Sequence, residues 1–132
     1  MTELDDFVAP VVPHQVETET AWHHRDLEAR LAVWSTRDPV TLFGAGGACA
    51  TGSDEVRRNF RTAVTQIVPC RAFDYDLVAV GVAGDLAYTV GYEHTSFDPG
   101  PVQDYTLRVT YLYRREAGEW KIIHRHGDYL RQ

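Results

Sequence analysis

Two hydrophobic periods divide the chain. From Gln15 to Ser35 there is neither glycine nor proline, and Leu27, Leu31 and Trp34 recur at i, i+4 and i+7, the spacing of one helix face. Val16 and Trp22 extend a weaker stripe upstream. His23-His24-Arg25 interrupts it, so the pattern predicts two helices or one kinked helix, stopped at Asp38-Pro39 because the residue before proline avoids the helical region. Val40 to Phe43 and Ala48 to Thr51 are short β-rich runs around Gly44-Ala-Gly-Gly47 and read as a small hairpin. Ser53, a good N-cap followed by Asp54 and Glu55, opens a helix with Val56, Phe60, Ala63/Val64 and Ile67 on its buried face. Pro69 ends it.

After Pro69 the period falls from 3.6 to 2. Phe73 to Ala83, Asp85 to Phe97, Val102 to Arg115 and Glu119 to Leu130 are rich in Val, Tyr, Ile and Thr, and short turns join them. Four such strands must pair mostly antiparallel. Helices first and sheet afterwards is the α+β layout, with helices over residues 14–36 and 53–68 on the concave face of a curved sheet. Residues 1–13, ending in Pro10-Val-Val-Pro13, follow neither period and are expected to form a flexible arm before a single domain at 14–132.

Charge and cysteines narrow the function classes. Lys+Arg number 13 and Asp+Glu 19, a formal charge of −6, and this acidity argues against a general nucleic-acid or anionic-membrane binder. A hydrophobic fraction of 44% suits a globular chain. Two cysteines, Cys49 and Cys70, make neither a disulfide framework nor a Cys-rich zinc site. No run approaches the ~18 apolar residues of a membrane span, and the acidic start is unlike a signal peptide, so the expected location is cytoplasmic. Gly44-Ala-Gly-Gly47 lacks the Lys-Ser/Thr and the spacing of nucleotide-binding loops.

Candidate chemistry concentrates on the strands. Tyr88, Val90, Tyr92 and His94 share one face, and a histidine ending an aromatic row suits either general acid/base work or a hydrogen bond at the sheet rim. Arg108, set among Leu107, Val109 and Tyr111, needs a carboxylate partner such as Asp104, or a ligand oxygen. His124 and His126 are spaced like two ligands of one metal, but no further ligands stand nearby, and neither metal nor cofactor is expected. Trp22 and Trp34 suit core or pocket lining alike.

The ending Gly118-Glu-Trp-Lys-Ile-Ile-His-Arg-His-Gly-Asp128, preceded by Leu107-Arg-Val-Thr-Tyr-Leu-Tyr-Arg-Arg115, resembles the SnoaL-like and ketosteroid-isomerase-like branch of the nuclear transport factor 2-like (NTF2-like) superfamily. The resemblance runs from His14 to Asp128 and implies a conical fold around one pocket. That superfamily includes isomerases, cyclases, dehydratases and the association domain of calcium/calmodulin-dependent kinase. Phe43, Thr110 and Thr18 stand where ketosteroid isomerases hold their base, protonated aspartate and tyrosine donor, so true ketosteroid isomerase chemistry is not implied. The resemblance turns Tyr88, Val90, Tyr92, His94, Arg108, Thr110 and Leu112 toward the pocket, with Ile123 and Arg125 inward and His124 and His126 outward.

Two functional expectations follow. The first is a small enzyme of cyclase, isomerase or dehydratase type acting on an apolar or polycyclic metabolite. His94 would move the proton and Arg108 would stabilise the oxyanion, with Trp22, Trp34, Tyr88, Tyr92, Thr110 and Arg125 around the ligand. The second is a ligand-binding or oligomerisation module without turnover. A homodimer is expected through the outer sheet face, assigned here to Tyr105, Leu107, Val109, Tyr111 and Tyr113.

Overall fold

The computed structural model describes residues 2–131. Helix α1 spans Glu3–Trp22, so most of the expected arm is helical. Its start is fixed by a capping box, in which the Asp5 amide donates to Thr2 Oγ1 at 3.1 Å and the Thr2 amide to Asp5 Oδ2 at 3.4 Å. Glu3, Asp5 and Asp6 complement the positive end of the helix. Phe7, with no exposed surface, anchors this segment edge-on against Tyr113 and Trp120, both at 5.1 Å. Pro10 and Pro13 sit on the exposed side, where the carbonyls they leave without amide donors can be hydrated.

The expected break is present: Arg25 takes φ 68°, and Asp26 caps α2, Leu27–Val33. Strands β1, Thr41–Phe43, and β2, Cys49–Thr51, form the small hairpin. Helix α3 covers Ser53–Ala63 and tightens into one 3₁₀ turn at Val64–Gln66. Gly52, not Ser53, is its N-cap, because the Ser53 amide donates to Asp38 Oδ1 at 2.7 Å and its hydroxyl to the Ser35 carbonyl at 3.3 Å. The long strands are β3, Ala72–Ala83; β4, Leu86–Ser96; β5, Tyr105–Glu116; and β6, Glu119–Tyr129.

Three helices thus pack on a six-stranded curved sheet of order β2-β1-β6-β5-β4-β3, antiparallel except where β1 meets β6. The α+β expectation holds. The facing of two strands is the reverse of that expected. Leu107, Val109, Tyr111 and Tyr113 on β5, with Ala87, Thr89, Glu93 and Thr95 on β4, are buried beneath the helices. Tyr88, Tyr92, Arg108 and Leu112 face outward and are exposed. Alternation dictates that neighbours face opposite ways but not which set goes inside. The inner face of β4 carries small residues because large side chains from β3 and β5 fill the space above it. The more aromatic-looking row of β4 is therefore the outer one. On β6 a bulge opposite Leu112/Tyr113 brings both Ile122 and Arg125 inward, and Ile123 falls out of the alternation.

Candidate functional site

Two carboxylates and two guanidiniums meet under α1. Arg30 Nη2 donates to both oxygens of Glu19 at 2.7 and 2.6 Å, while its guanidinium lies 3.9 Å from the centre of the Trp22 ring. Arg125 Nη2 donates to Glu93 at 2.5 Å and its Nε to the Tyr111 oxygen at 3.1 Å. The phenol of Tyr111 lies 2.6 Å from Glu19 and 3.0 Å from Glu93; its single proton goes to the nearer acceptor, Glu19. All five residues are buried.

Electrostatics locks these charges. Burial alone would raise the Glu19 pKa, but Arg30 and Arg125 outweigh it and bring it down to about 2. Burial, with Glu19 and Glu93 beside it, pushes the Tyr111 phenol well above its ordinary value, so it stays protonated. Burial acts to lower the Arg125 pKa; Glu93, Tyr111 and Glu19 reverse this and hold the guanidinium charged.

Beside this cluster a groove of about 570 Å³ opens between α1, α2 and the β5–β6 turn. Val11, Val33, Trp120 and Ile122 give it apolar walls, and Gln15, Thr18 and Tyr113 close its inner end. A cavity of this size, apolar with a few converging polar groups, is characteristic of small-molecule sites. Its charged neighbours at the rim are occupied: Lys121 donates to the Ala32 carbonyl at 2.8 Å and pairs with Glu119 at 3.2 Å.

The residues singled out in the sequence divide between the two faces of the sheet. Trp22, Trp34 and Arg125 are interior, with Trp22 and Trp34 edge-on to Phe60 at 5.8 and 5.0 Å. Tyr88, Tyr92, His94, Arg108 and Thr110 were expected in the cone and instead lie on the outer face. His94 is held by Asp76 and Thr106, each at 2.8 Å. Arg108 makes a bidentate pair with Asp128 at 2.8 and 2.7 Å, across the strand pair rather than with Asp104. Tyr92, Arg108 and Thr110 share a shallow outer depression of about 270 Å³ with His126 and Asp128.

A model of the SnoaL-like domain matches residues 17–130. The chain belongs to the SnoaL-like domain family. No curated protein matches it. Among solved structures, this SnoaL-like chain resembles a proposed dehydratase of the NTF2-like family from Streptomyces avermitilis (21% identity, 98% of this chain and 99% of that one, TM-score 0.77). It also resembles a proposed calcium/calmodulin-dependent protein kinase type II association domain from Thiobacillus denitrificans ATCC 25259 (21% identity, 89% and 93%, TM-score 0.78). A third is a proposed ketosteroid isomerase from Parabacteroides distasonis ATCC 8503 (22% identity, 99% and 94%, TM-score 0.73). At these identities the likeness establishes the NTF2-like fold, which is compatible with small-molecule isomerase or dehydratase chemistry.

In this SnoaL-like domain the buried cluster had partial signals. Glu19 sits three residues before Trp22 on the face of α1 that also buries Gln15 and Thr18, and a carboxylate inside such a stripe requires a buried cation. Glu93 gave less, because its row on β4 reads as small and polar. For metal ligation, Asp74, Asp76 and His94 bring donor atoms within 4.8 Å of one another on the outer face. His124 and His126 instead flank Phe43, at 5.4 and 5.5 Å, with His124 Nδ1 bound to Thr41 Oγ1 at 2.7 Å. Burial and neighbouring His126 lower the His124 pKa.

Proposed function

We propose that this SnoaL-like protein binds an elongated, mostly apolar small molecule in the groove between α1, α2 and the β5–β6 turn. The observation that carries the reading is the groove itself, about 570 Å³ with apolar walls that lead to Gln15, Thr18 and Tyr113. The interior charges favour binding over turnover through a free acid or base. Glu19 is tied to Arg30 and Arg125, and His94 and Arg108 face away from the groove. Ala32 stands in the groove wall with its side chain exposed, so Ala32→Trp should obstruct the groove without touching the core. Nile red, a neutral apolar dye, should bind the native protein and bind Ala32→Trp at least about tenfold more weakly, at unchanged melting temperature. Failure of Nile red to bind, or binding indifferent to Ala32→Trp, overturns the reading.

Acid/base turnover in the same groove is a second reading. What favours it is the Tyr111 phenol, a neutral proton donor beside two carboxylates. Tyr111→Phe would then abolish conversion of a ketone or alcohol substrate while leaving Nile red affinity intact; no conversion by the native protein sinks this version.

The outer sheet face supports a homodimer in this reading, through residues other than those expected. Tyr88 and Leu112 are cross-strand partners, and Phe43, Val78 and Tyr92 extend an exposed apolar surface around them. Leu112→Asp should convert the dimer to a 14.9 kDa monomer in sedimentation at micromolar concentration. A native protein already monomeric there rules the dimer out.

A further inference from the structure

Behind the inner end of the groove lie two hydroxyls with no use inside the fold. Gln15 and Tyr113 close the groove by touching side chain to side chain. Close to them are the hydroxyls of Tyr75 and Thr89, near enough to influence the Tyr75 and Tyr113 phenols. Tyr75 reaches this position because residue 91 is glycine. A Cβ there would lie 2.7 Å from both Cζ and Oη of Tyr75, so the phenol lies across β4 and delivers its oxygen toward Thr89. Thr89 has no exposed surface, and the Tyr75 oxygen is buried as well. Neither oxygen has a hydrogen-bond partner of acceptable geometry. Buried hydroxyls are nearly always paired, since each gives up its hydrogen bonds to water on folding.

We propose that the Tyr75 and Thr89 hydroxyls are the head-group subsite of the groove, and that its ligand is a neutral molecule ending in an alcohol or carbonyl oxygen. The proposal rests on the reading of the groove as the ligand site. Hydroxyls both donate and accept, so they complement a head group that is polar without charge. A carboxylate head would need a cation. Arg30 and Arg125 are committed to Glu19 and Glu93, and Lys121 at the rim is held by Ala32 and Glu119. An ammonium head would need an anion, and both interior carboxylates are likewise matched.

Competition against Nile red with 1-octanol, 2-octanone, octanoate and octylamine tests this on one chain length. The native protein should bind octanol and octanone at least about tenfold more tightly than octanoate or octylamine. Thr89→Val keeps the side-chain shape and removes the hydroxyl. It should reduce the octanol preference by roughly fivefold or more, leave Nile red affinity unchanged and not lower the melting temperature, whereas Thr89→Ser should retain the preference. Tyr75→Phe should act in the same direction as Thr89→Val. If Nile red and all four octyl compounds fail to bind, the groove reading itself is lost. If they bind but octanoate matches octanol, or Thr89→Val leaves their ratio unchanged, the groove stands and the head-group assignment falls. A clear drop in melting temperature for Thr89→Val would mean that the hydroxyl has a partner within the fold, and would overturn the assignment too.

Discussion

Arg125→Met isolates the energetic core of this molecule. Arg125 is 6% exposed and is the only guanidinium that donates to Glu93, at 2.5 Å, among the described residues. Methionine preserves much of the stem packing and deletes the charge. Glu19 keeps its bidentate Arg30, but Glu93 is left with the Tyr111 hydroxyl at 3.0 Å. Stranding one member of a buried pair costs about 3 to 5 kcal/mol. At roughly 3 to 5 °C per kcal/mol for a chain of this size, the melting temperature should fall by about 10 to 20 °C. Urea denaturation followed by tryptophan fluorescence measures the free energy directly. The double variant Arg125→Met/Glu93→Gln carries no stranded charge and should recover about 2 kcal/mol or more relative to additivity.

The pH dependence of that variant has a definite sign. Without its cation, buried Glu93 takes a folded-state pKa above its unfolded one. The stabilisation from holding a proton is then fully present below the unfolded pKa and lost as pH rises through the folded one. Arg125→Met should therefore be less destabilised at about pH 5 than at about pH 8. A loss under about 1 kcal/mol, or strict additivity in the double variant, would refute the account of the cluster as a matched set of charges.

Other consequences are open to measurement. Glu19, lowered from 4.5 to about 2, stabilises the fold above its unfolded pKa and loses that effect as pH falls from about 4.5 toward 2. The effect is on the order of 3 kcal/mol, and urea titrations of Glu19→Gln should lack this acid limb, with an identical limb counting against it. Thr2→Ala should cost about 1 kcal/mol locally, seen as faster amide exchange at Asp5; an Asp5 amide already unprotected in the native protein would show that the cap does not hold α1. Gly91→Ala should destabilise by about 1 to 3 kcal/mol, because its Cβ would collide with the Asp76 carbonyl and the Tyr75 phenol; unchanged stability would mean that Tyr75 does not lie across β4.

Elements were legible in the sequence where one period dominated. The four long strands and the break between α1 and α2 follow from periodicity and turn residues that involve no distant partner. The start of α1 was not legible, because Pro10 and Pro13 argue locally for an arm, while the burial of Phe7 against Tyr113 and Trp120 depends on residues more than a hundred positions away. The facing of β4 and β5 was hidden for a related reason. Tyr88, Val90 and Tyr92 look more core-like than Ala87, Thr89 and Gly91, and only the bulk of Tyr75, Tyr111 and Arg125 explains why the smaller set is inside. Candidate site residues inherited that inversion, so His94 and Arg108 went to the wrong face while Arg125, set by β6, did not.

The buried charges divide by origin. Glu19 and Arg30 both come from the helical segment, Glu93 and Arg125 both come from the four-stranded meander, and each pair is already neutral. The meander can form through turns between neighbouring strands, whereas joining β1 to β6 closes a separation of 83 residues between Thr41 and His124. When the helical layer closes over the sheet, neither side brings an unmatched charge into the dry interface. The Tyr111 hydroxyl supplies the link between the halves, and it is a hydrogen bond from a neutral group. Assembly of the core therefore buries four charges without transferring any net charge out of water at the docking step.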